Sequence, residues 1–328
     1  MLKIAVLGVG HLGKIHVNCI QQISNQYELV GFYDPDDNNA HTAIAKYGIT
    51  RYESLDELIA AVDVVDIVTP TITHFELAKK ALLKGKHLFI EKPLCHTIEE
   101  AKELVQLSQS QGLKVQVGHV ERFNPAFLSL GDLSLNPMFI EAHRLATFNP
   151  RGTDVSVVLD LMIHDLDIIL SLVPSEIEKI SASGVSVVSS TPDISNARIE
   201  FKNGCVANIT ASRISLKQMR KLRLFQRDAY ISMDFLEKNT QVVRLYEKDA
   251  PDFPKDVQLL ELETQQGKKY IHIDMPKTEP INAIKMELET LAESINKNQT
   301  TRVSIEDGYR ALKVAKEIIE KIELQKIG

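Results

Sequence analysis

A glycine triplet near the start of the chain, set between a strand pattern and a helix pattern, limits the possible folds more than any other feature. The apolar run 3–7 is typical of a buried parallel strand. It leads into Gly8-Val9-Gly10-His11-Leu12-Gly13 and then into a segment, 14–23, with helical spacing of apolar residues. A second strand pattern at 28–33 ends in Asp34, 21 residues after the third glycine. Together these features predict a dinucleotide-binding site.

Each glycine of the triplet has its own steric reason. Gly8 permits a tight turn, Gly10 lets a pyrophosphate approach the backbone, and Gly13 lets the helix pack closely on the strand. The first helical turn, which starts with His11 and Leu12, offers unpaired N–H groups and a partial positive charge to phosphates.

Asp34 indicates which dinucleotide is bound. A carboxylate at the end of the second strand can accept hydrogen bonds from the ribose hydroxyls and would repel a 2′-phosphate, which favours NAD over NADP. The alternative is a turn-forming aspartate before Pro35. The two roles are compatible.

The first 120 residues alternate strand and helix patterns. Alternation of this kind predicts a doubly wound parallel sheet whose ligands lie beyond the carboxyl ends of the strands. The predicted strands are 2–7, 29–33, 64–68, 87–90 and 114–117, and the predicted helices are 11–23, 38–47, 55–61, 73–83 and 98–111.

From residue 121 onward, β patterns dominate. Asn203-Gly204 is a hairpin turn, and strands joined by short turns must be mostly antiparallel. The predicted strands are 138–148, 177–188, 196–201, 206–212, 222–225, 229–233, 241–246, 257–263 and 269–273, and the helices are 124–130, 156–173, 281–296 and 304–327. The sequence therefore predicts an α/β protein of two domains: a Rossmann domain, 1–120, and an α+β domain with a large, mostly antiparallel sheet, 121–328. The C-terminal helix can pack back on the first domain.

Composition excludes several classes of partner. A formal charge of −6 argues against nucleic-acid binding. We expect no membrane span, because no apolar stretch approaches the ~20 residues that one needs, and no signal peptide, because a strand pattern begins at once. The three cysteines lack metal or redox spacing, so we expect reduced thiols, a cytoplasmic protein and no metal site.

Two loops follow predicted strands at the edge of the sheet where a cofactor would bind. The first contains Thr69, Pro70, Thr71 and His74, and the second contains Glu91 and Lys92. A lysine near a nicotinamide can hydrogen-bond a substrate hydroxyl or carbonyl. The alternatives are that proline and threonine stop the strand and cap the next helix, and that Glu-Lys-Pro is an ordinary surface turn.

The segment 156–173 is predicted to be a mostly buried helix because it is apolar nearly all round. Asp160 and His164 are one turn apart on its polar stripe, so the carboxylate can orient the imidazole. Burying such a pair is costly unless both groups are satisfied. A purely structural pair is the alternative.

These motifs, in this order along the chain, resemble the Gfo/Idh/MocA (glucose–fructose oxidoreductase / inositol dehydrogenase) family. The resemblance covers essentially the whole chain. It implies that Lys92, Asp160 and His164 surround the nicotinamide of NAD and handle the substrate proton. It also implies that the open face of the second domain's sheet makes a homodimer or homotetramer contact. We expect runs such as 197–201 and 206–211 to have apolar side chains on both faces in places, and a large exposed apolar face generally marks an interface.

Within that family, the segment 119–125 is similar to members that act on UDP-N-acetylglucosamine and oxidise its 3-hydroxyl. The stretch 211–224 is unusually basic for an acidic protein, as a pyrophosphate site would require. The alternative is a solvated strand or an edge guarded by lysines. The predicted substrate-binding residues are Arg122, Asn124, Arg213 and Arg220.

The resemblance implies an NAD-dependent oxidoreductase that transfers hydride between the cofactor and a ring carbinol of a sugar or sugar nucleotide. Either His164 or Lys92 is the base. Three alternatives remain: a dehydrogenase of a free sugar or polyol such as inositol, a biliverdin-reductase-like reductase, and a non-catalytic NAD-binding sensor. The Asp160–His164 pair argues against the reductase. The presence of both Lys92 and His164 argues against the sensor.

Overall fold

A computed structural model of the chain describes residues 1–149, 155–248, 253, 257–265 and 267–325. The described residues form two compact units, 1–123 with 282–313, and 124–281 with 314–325. This grouping differs from the predicted single boundary at residue 120, because the chain returns to the first unit after the second sheet is complete.

The strands and helices are numbered in chain order. The strands are β1 Leu2–Leu7, β2 Tyr27–Tyr33, β3 Val64–Ile67, β4 His87–Glu91, β5 Val115–Gly118, β6 Phe139–Leu145, β7 Ile177–Val185, β8 Ile194–Phe201, β9 Val206–Ser212, β10 Met219–Phe225, β11 Ala229–Asp234, β12 Asn239–Tyr246, β13 Leu260–Thr264 and β14 Gly267–Asp274. The α-helices are α1 His11–Gln21, α2 Asp37–Tyr47, α3 Leu55–Ala60, α4 His74–Leu83, α5 Ile98–Gln111, α6 Pro125–Leu128, α7 Ile163–Leu172, α8 Ala283–Asn296 and α9 Ile305–Gln325.

The first unit is built on a five-stranded parallel sheet with the order β2-β1-β3-β4-β5. The predicted Rossmann fold is confirmed, and every predicted element of the first 120 residues lies within two residues of its observed ends. Strand order reverses between β1 and β3, which is where ligands bind in sheets of this type. Both faces of this sheet are covered, so its strands are almost fully buried.

Helix α8 completes the core of the first unit. Its apolar face, Leu288, Leu291 and Ala292, belongs to the same buried cluster as β1 and α1. The Tyr27 hydroxyl donates to the Leu288 carbonyl at 2.9 Å. This packing explains why residues 282–313 join the first unit rather than the second.

The second unit is built on a nine-stranded sheet with the order β13-β14-β12-β11-β10-β6-β9-β8-β7. All neighbouring strands are antiparallel except β6 and β9, which are parallel. The prediction of a large, mostly antiparallel sheet is therefore confirmed. Helix α7 packs on the inner face of this sheet and contacts β6.

The outer face of the sheet is mostly polar on β8 and β9 and carries exposed apolar side chains on β12, β13 and β14. On β8 the inward residues are apolar and buried, but the outward ones include Asn196, Arg198 and Glu200. The predicted apolar side chains on both faces of 197–201 and 206–211 are found at Val206 only, since outward Asn208 and Thr210 on β9 are polar too. Four exposed apolar side chains of the outer face lie on β12, β13 and β14: Leu245, Leu260, Leu262 and Ile273.

Segment 156–173 is not one continuous α-helix. Residues Val158–Met162 form a π-helical turn that leads into α7. Single π turns inside helices are frequent at functional sites. Among the described residues, no helix is both long and apolar enough to cross a membrane.

Candidate functional site

The glycine turn has the geometry that its sequence predicts. Gly8 has φ +88°, a left-handed value that favours glycine, and a Cβ there would lie 3.0 Å from the Val68 carbonyl oxygen. A Cβ on Gly13 would lie 1.9 Å from the Gly8 carbonyl oxygen, so only glycine allows α1 to pack this closely on the turn. At Gly10 a Cβ would meet nothing within 4 Å. The turn therefore leaves open space in front of the N-terminus of α1, as a bound diphosphate requires.

Asp34 is buried at the end of β2, with 6% of its surface exposed. One carboxylate oxygen accepts from the Val9 N–H of the glycine turn and the other from the Asp36 N–H, both at 2.8 Å. The turn-forming role is therefore real. The contact with Val9 also fixes the carboxylate beside the glycine turn, where a ribose would lie.

Arg51 is a neighbour of Asp34 that sequence reasoning missed. Its guanidinium donates to the Asp34 carbonyl oxygen at 3.0 Å and to the Asp37 carboxylate at 2.8 Å. The only signal in the sequence is a lone arginine ahead of α3. The backbone of Arg51 pairs with Phe32 of β2, which brings its side chain to the end of that strand.

The loop after β3 is braced by His74. Thr71–Thr73 form a 3-10 turn, and Thr73 donates to the Pro70 carbonyl. The His74 ring is buried, with one nitrogen 2.8 Å from the Thr69 carbonyl oxygen and the other 3.0 Å from that of Pro93. Burial lowers the pKa of His74, and the contacts with the two backbone carbonyls act in the opposite direction. His74 thus links this loop to the loop after β4. Pro70 is exposed, and Thr69 and Thr71 are half-buried.

The loop after β4 contains Glu91, Lys92 and Pro93, and the Lys92–Pro93 peptide bond is cis. Glu91 is 8% exposed and accepts a hydrogen bond from the Lys92 N–H at 3.1 Å. Lys92 is half-buried.

Two buried residues behind this loop were not predicted from the sequence. His16 of α1 lies between Asp66 of β3 and Glu91, with ring nitrogen to carboxylate distances of 3.0 and 3.2 Å. A charged residue inside the apolar strand Val64–Ile67 was the signal available for Asp66. His16 carried none, because a single histidine on a buried helix face is usually a core residue.

In the second unit, Asp160 lies in the π-helical turn and His164 is the second residue of α7. Both are half-buried. The adjacent Asp165 is 2% exposed and forms a two-pronged ion pair with Arg144 of β6, at 2.8 and 3.1 Å. This pair fixes the turn of α7 that carries His164 against the sheet.

The predicted substrate residues divide between the two units. Arg122 belongs to the first, where it lies 3.8 Å from Asp307 and beside Arg302. Burial lowers the pKa of Arg302, and the charge of Arg122 lowers it further. Asn124 belongs to the second unit. It caps α6 by accepting from the Ala126 N–H and donates to the Phe235 carbonyl, each at 3.0 Å.

The basic stretch 211–224 is less available to an anion than its composition suggests. Arg213 is 6% exposed and donates to the Val155 carbonyl. Lys221 pairs with Asp234 at 3.1 Å, and Arg223 lies 3.5 Å from Glu141. Arg220 is exposed on β10. Among the described residues, no group of three His, Cys, Asp or Glu side chains could hold a metal ion.

Comparisons with known proteins cover both units. Residues 2–119 match the model of an oxidoreductase family with an NAD-binding Rossmann fold, GFO_IDH_MocA, and residues 138–231 match the C-terminal domain of the same family.

Two further similarities concern an enzyme of Acidithiobacillus ferrooxidans, UDP-N-acetylglucosamine 3-dehydrogenase. The chain is 38% identical to it over 77% of its own length and 80% of the enzyme's length. A solved structure of that enzyme covers 98% of each chain with a TM-score of 0.87 and 32% identity. The chain is also 30% identical to scyllo-inositol 2-dehydrogenase (NAD(+)) of Bacillus subtilis, over 65% of its own length and 68% of that enzyme's.

Proposed function

Because the chain belongs to the Gfo/Idh/MocA family of NAD-binding oxidoreductases, we propose that it oxidises the 3-hydroxyl of a UDP-N-acetylhexosamine. The observation that carries this proposal is the similarity to UDP-N-acetylglucosamine 3-dehydrogenase, at 38% sequence identity over 77% of the chain and a TM-score of 0.87 over 98% of the chain. The inositol dehydrogenase is less similar and is matched over a shorter part of the chain.

The cofactor is NAD, and the chain is a dehydrogenase of CH–OH groups. The first unit fits this cofactor: open space at Gly10 faces the N-terminus of α1, and the Asp34 carboxylate lies at the end of β2. NAD, when bound, supplies the hydride acceptor. The protein supplies orientation and proton transfer.

We assign the acid–base work to Lys92, Asp160 and His164. In the oxidative direction, either His164, supported by Asp160, or Lys92 takes the proton of the hydroxyl group. The other then donates a hydrogen bond to the developing alkoxide. The products are a ketone and NADH, with the hydroxyl proton passed to solvent. The supporting observation is that Lys92 follows a strand at the ligand-binding edge of the first sheet, while His164 is held on a helix anchored by an ion pair.

Two properties of the whole protein belong to the same proposal. It acts as a homodimer or homotetramer through the outer face of the second sheet. It works in the cytoplasm, where its three buried cysteine thiols stay reduced.

The test is NADH formation, followed by its absorbance, when UDP-N-acetylglucosamine and NAD are offered. UDP-glucose, free N-acetylglucosamine and inositol are the matched alternatives. UDP-N-acetylglucosamine should also raise the thermal midpoint in the presence of NAD, since a ligand stabilises the state that it binds. Lys92→Ala or His164→Ala should lower turnover about 10²-fold or more, which is the scale for a lost acid–base group. Ready oxidation of inositol with inert UDP-sugars would contradict the substrate proposal.

A further inference from the structure

His16, Asp66 and Glu91 form a buried charged cluster inside the first unit. They come from three different elements: α1, β3 and the end of β4. His16 and Asp66 are 0% exposed. The His16 ring also packs edge-on against Phe89, with ring centroids 5.4 Å apart. Only Glu91 reaches the carboxyl edge of the sheet, where it is 8% exposed.

The two carboxylates favour the charged form of this histidine. Burial alone would lower the pKa of His16, but the two carboxylates oppose this, and the pKa is raised well above its ordinary value. An imidazolium donates from both ring nitrogens, which matches one carboxylate on each side. One carboxylate would be enough to balance the charge. The second one, Glu91, is therefore the member that needs another explanation.

Glu91 is held from three directions. His16 lies 3.2 Å from one carboxylate oxygen, and the other oxygen accepts the Lys92 N–H at 3.1 Å. On the third side is Gly118 of β5, where a Cβ would lie only 2.9 Å from the Glu91 carboxyl carbon. Glycine at 118 thus leaves the space that this carboxylate occupies.

His16 also belongs to the helix that follows the glycine turn, three residues after Gly13. Its side chain therefore connects α1, whose N-terminus would face a bound diphosphate, with the loop that contains Lys92. Apolar side chains at all three positions of the cluster would fill the same volume without desolvating three charges. A charged cluster at this position serves the loop rather than the core.

We propose that His16 is a positioning residue: through Glu91 it fixes the backbone at Lys92 and so places the Lys92 amine for proton transfer. This inference rests on the proposed function in that it presupposes a catalytic role for Lys92. Asp66 keeps the imidazole charged and correctly oriented. His16 and Asp66 are 0% exposed and therefore cannot contact a substrate directly.

Two amide variants separate the two contacts of the ring. The amide nitrogen of His16→Asn matches Nδ1 and can still reach Asp66, whereas that of His16→Gln matches Nε2 and can still reach Glu91. We expect His16→Asn to lower kcat by roughly 10²-fold, the scale for a misplaced catalytic group, and His16→Gln to recover most of that loss. The Kd for NADH should stay within about twofold in both. The kcat is expressed per folded site, and folded sites are counted by NADH binding. Equal kcat values in the two variants would overturn the proposal.

A second pair of variants leaves every charge in place. Gly118→Ala forces the Glu91 carboxylate to move, whereas Gly308→Ala crowds the apolar Val117 side chain on the same strand, with Cβ to Cγ2 at 2.7 Å. We expect Gly118→Ala to lower kcat and Gly308→Ala to affect only the thermal midpoint. Equal kcat in these two variants would contradict the role of Glu91.

A readout without substrate keeps this inference separate from the proposed function. In the protein without substrate, the amide resonance of Lys92 should shift in His16→Asn and return toward the wild-type position in His16→Gln. In histidine labelled with ¹⁵N, both ring nitrogens of His16 should appear as N–H at neutral pH. An unshifted Lys92 amide would overturn the positioning role whichever sugar the enzyme oxidises. Inactivity on every UDP-sugar with these shifts present would contradict only the substrate proposal.

Discussion

At the scale of single residues, the cofactor end of the first unit combines two opposite charges. Asp34 is fixed by the Val9 and Asp36 N–H groups, and the Arg51 guanidinium binds the Asp34 carbonyl oxygen from outside. The carboxylate disfavours a 2′-phosphate, while an arginine at this place is the residue that would accept one. We therefore expect the preference for NAD over NADP to depend on Asp34.

Asp34→Ser should reduce the ratio of NAD(H) affinity to NADP(H) affinity by about tenfold. The reason is that it removes about 1–2 kcal/mol of repulsion between the carboxylate and a 2′-phosphate. Adding Arg51→Ala to Asp34→Ser should abolish the gain in NADPH affinity. Fluorescence titration with each reduced cofactor measures both constants. Tighter binding of NADPH than NADH by the unmodified chain would show that Asp34 does not select the cofactor.

At the scale of elements, the Arg144–Asp165 pair fixes α7 to β6. Both side chains are at most 4% exposed. Removing one partner of a buried ion pair leaves an uncompensated charge and costs about 3–5 kcal/mol. We therefore expect Arg144→Leu to lower the thermal midpoint strongly and Arg144→Leu with Asp165→Leu to recover most of it. Differential scanning calorimetry provides the comparison. A single variant as stable as the parent would mean that the pair does not anchor α7.

The same elements show what sequence patterns determine and what they miss. In the first 120 residues, strand ends and helix starts follow from local chemistry and were predicted to within two residues, whereas in the second sheet several strand ends differ by three residues from the prediction. Glu91 and Lys92 were proposed as site residues from the sequence because they directly follow a strand pattern, and the loops after parallel strands lie at the ligand-binding edge of the sheet. The cluster around His16 was missed because it depends on how α1, β3 and β4 are placed next to each other in the folded unit. The π turn at Val158–Met162 was missed because its apolar residues also fit an α-helix.

At the scale of the whole molecule, the outer face of the second sheet carries an apolar surface on β12, β13 and β14. The register places Leu245 and Leu260 opposite Ile271, and Leu262 and Ile273 lie two residues further along their strands. All are therefore on one side of the sheet. Leu245, Leu260, Leu262 and Ile273 are 37–51% exposed. An exposed apolar surface of this kind usually marks an interface.

Light scattering should give a mass of at least twice 36.8 kDa for the unmodified chain. Leu260→Lys with Leu262→Lys should shift the mass toward 36.8 kDa, since two buried charges at the contact would remain unpaired. Leu216→Lys is the control, because Leu216 is 99% exposed outside the strands. A monomer at every concentration in the unmodified chain would contradict the assembly.

The return of the chain to its first unit has a consequence for biosynthesis. A ribosome releases the five strands of the first sheet early, but α8, which contributes Leu288, Leu291 and Ala292 to their core, emerges only after the whole of 124–281. Domains generally fold in the order in which they are synthesised. Here that order is interrupted, because the unit that starts first can be completed only after residues 124–281 of the second unit have been synthesised. During this interval the apolar surface later covered by α8 is open to water, and it offers a binding site to chaperones that recognise exposed apolar segments.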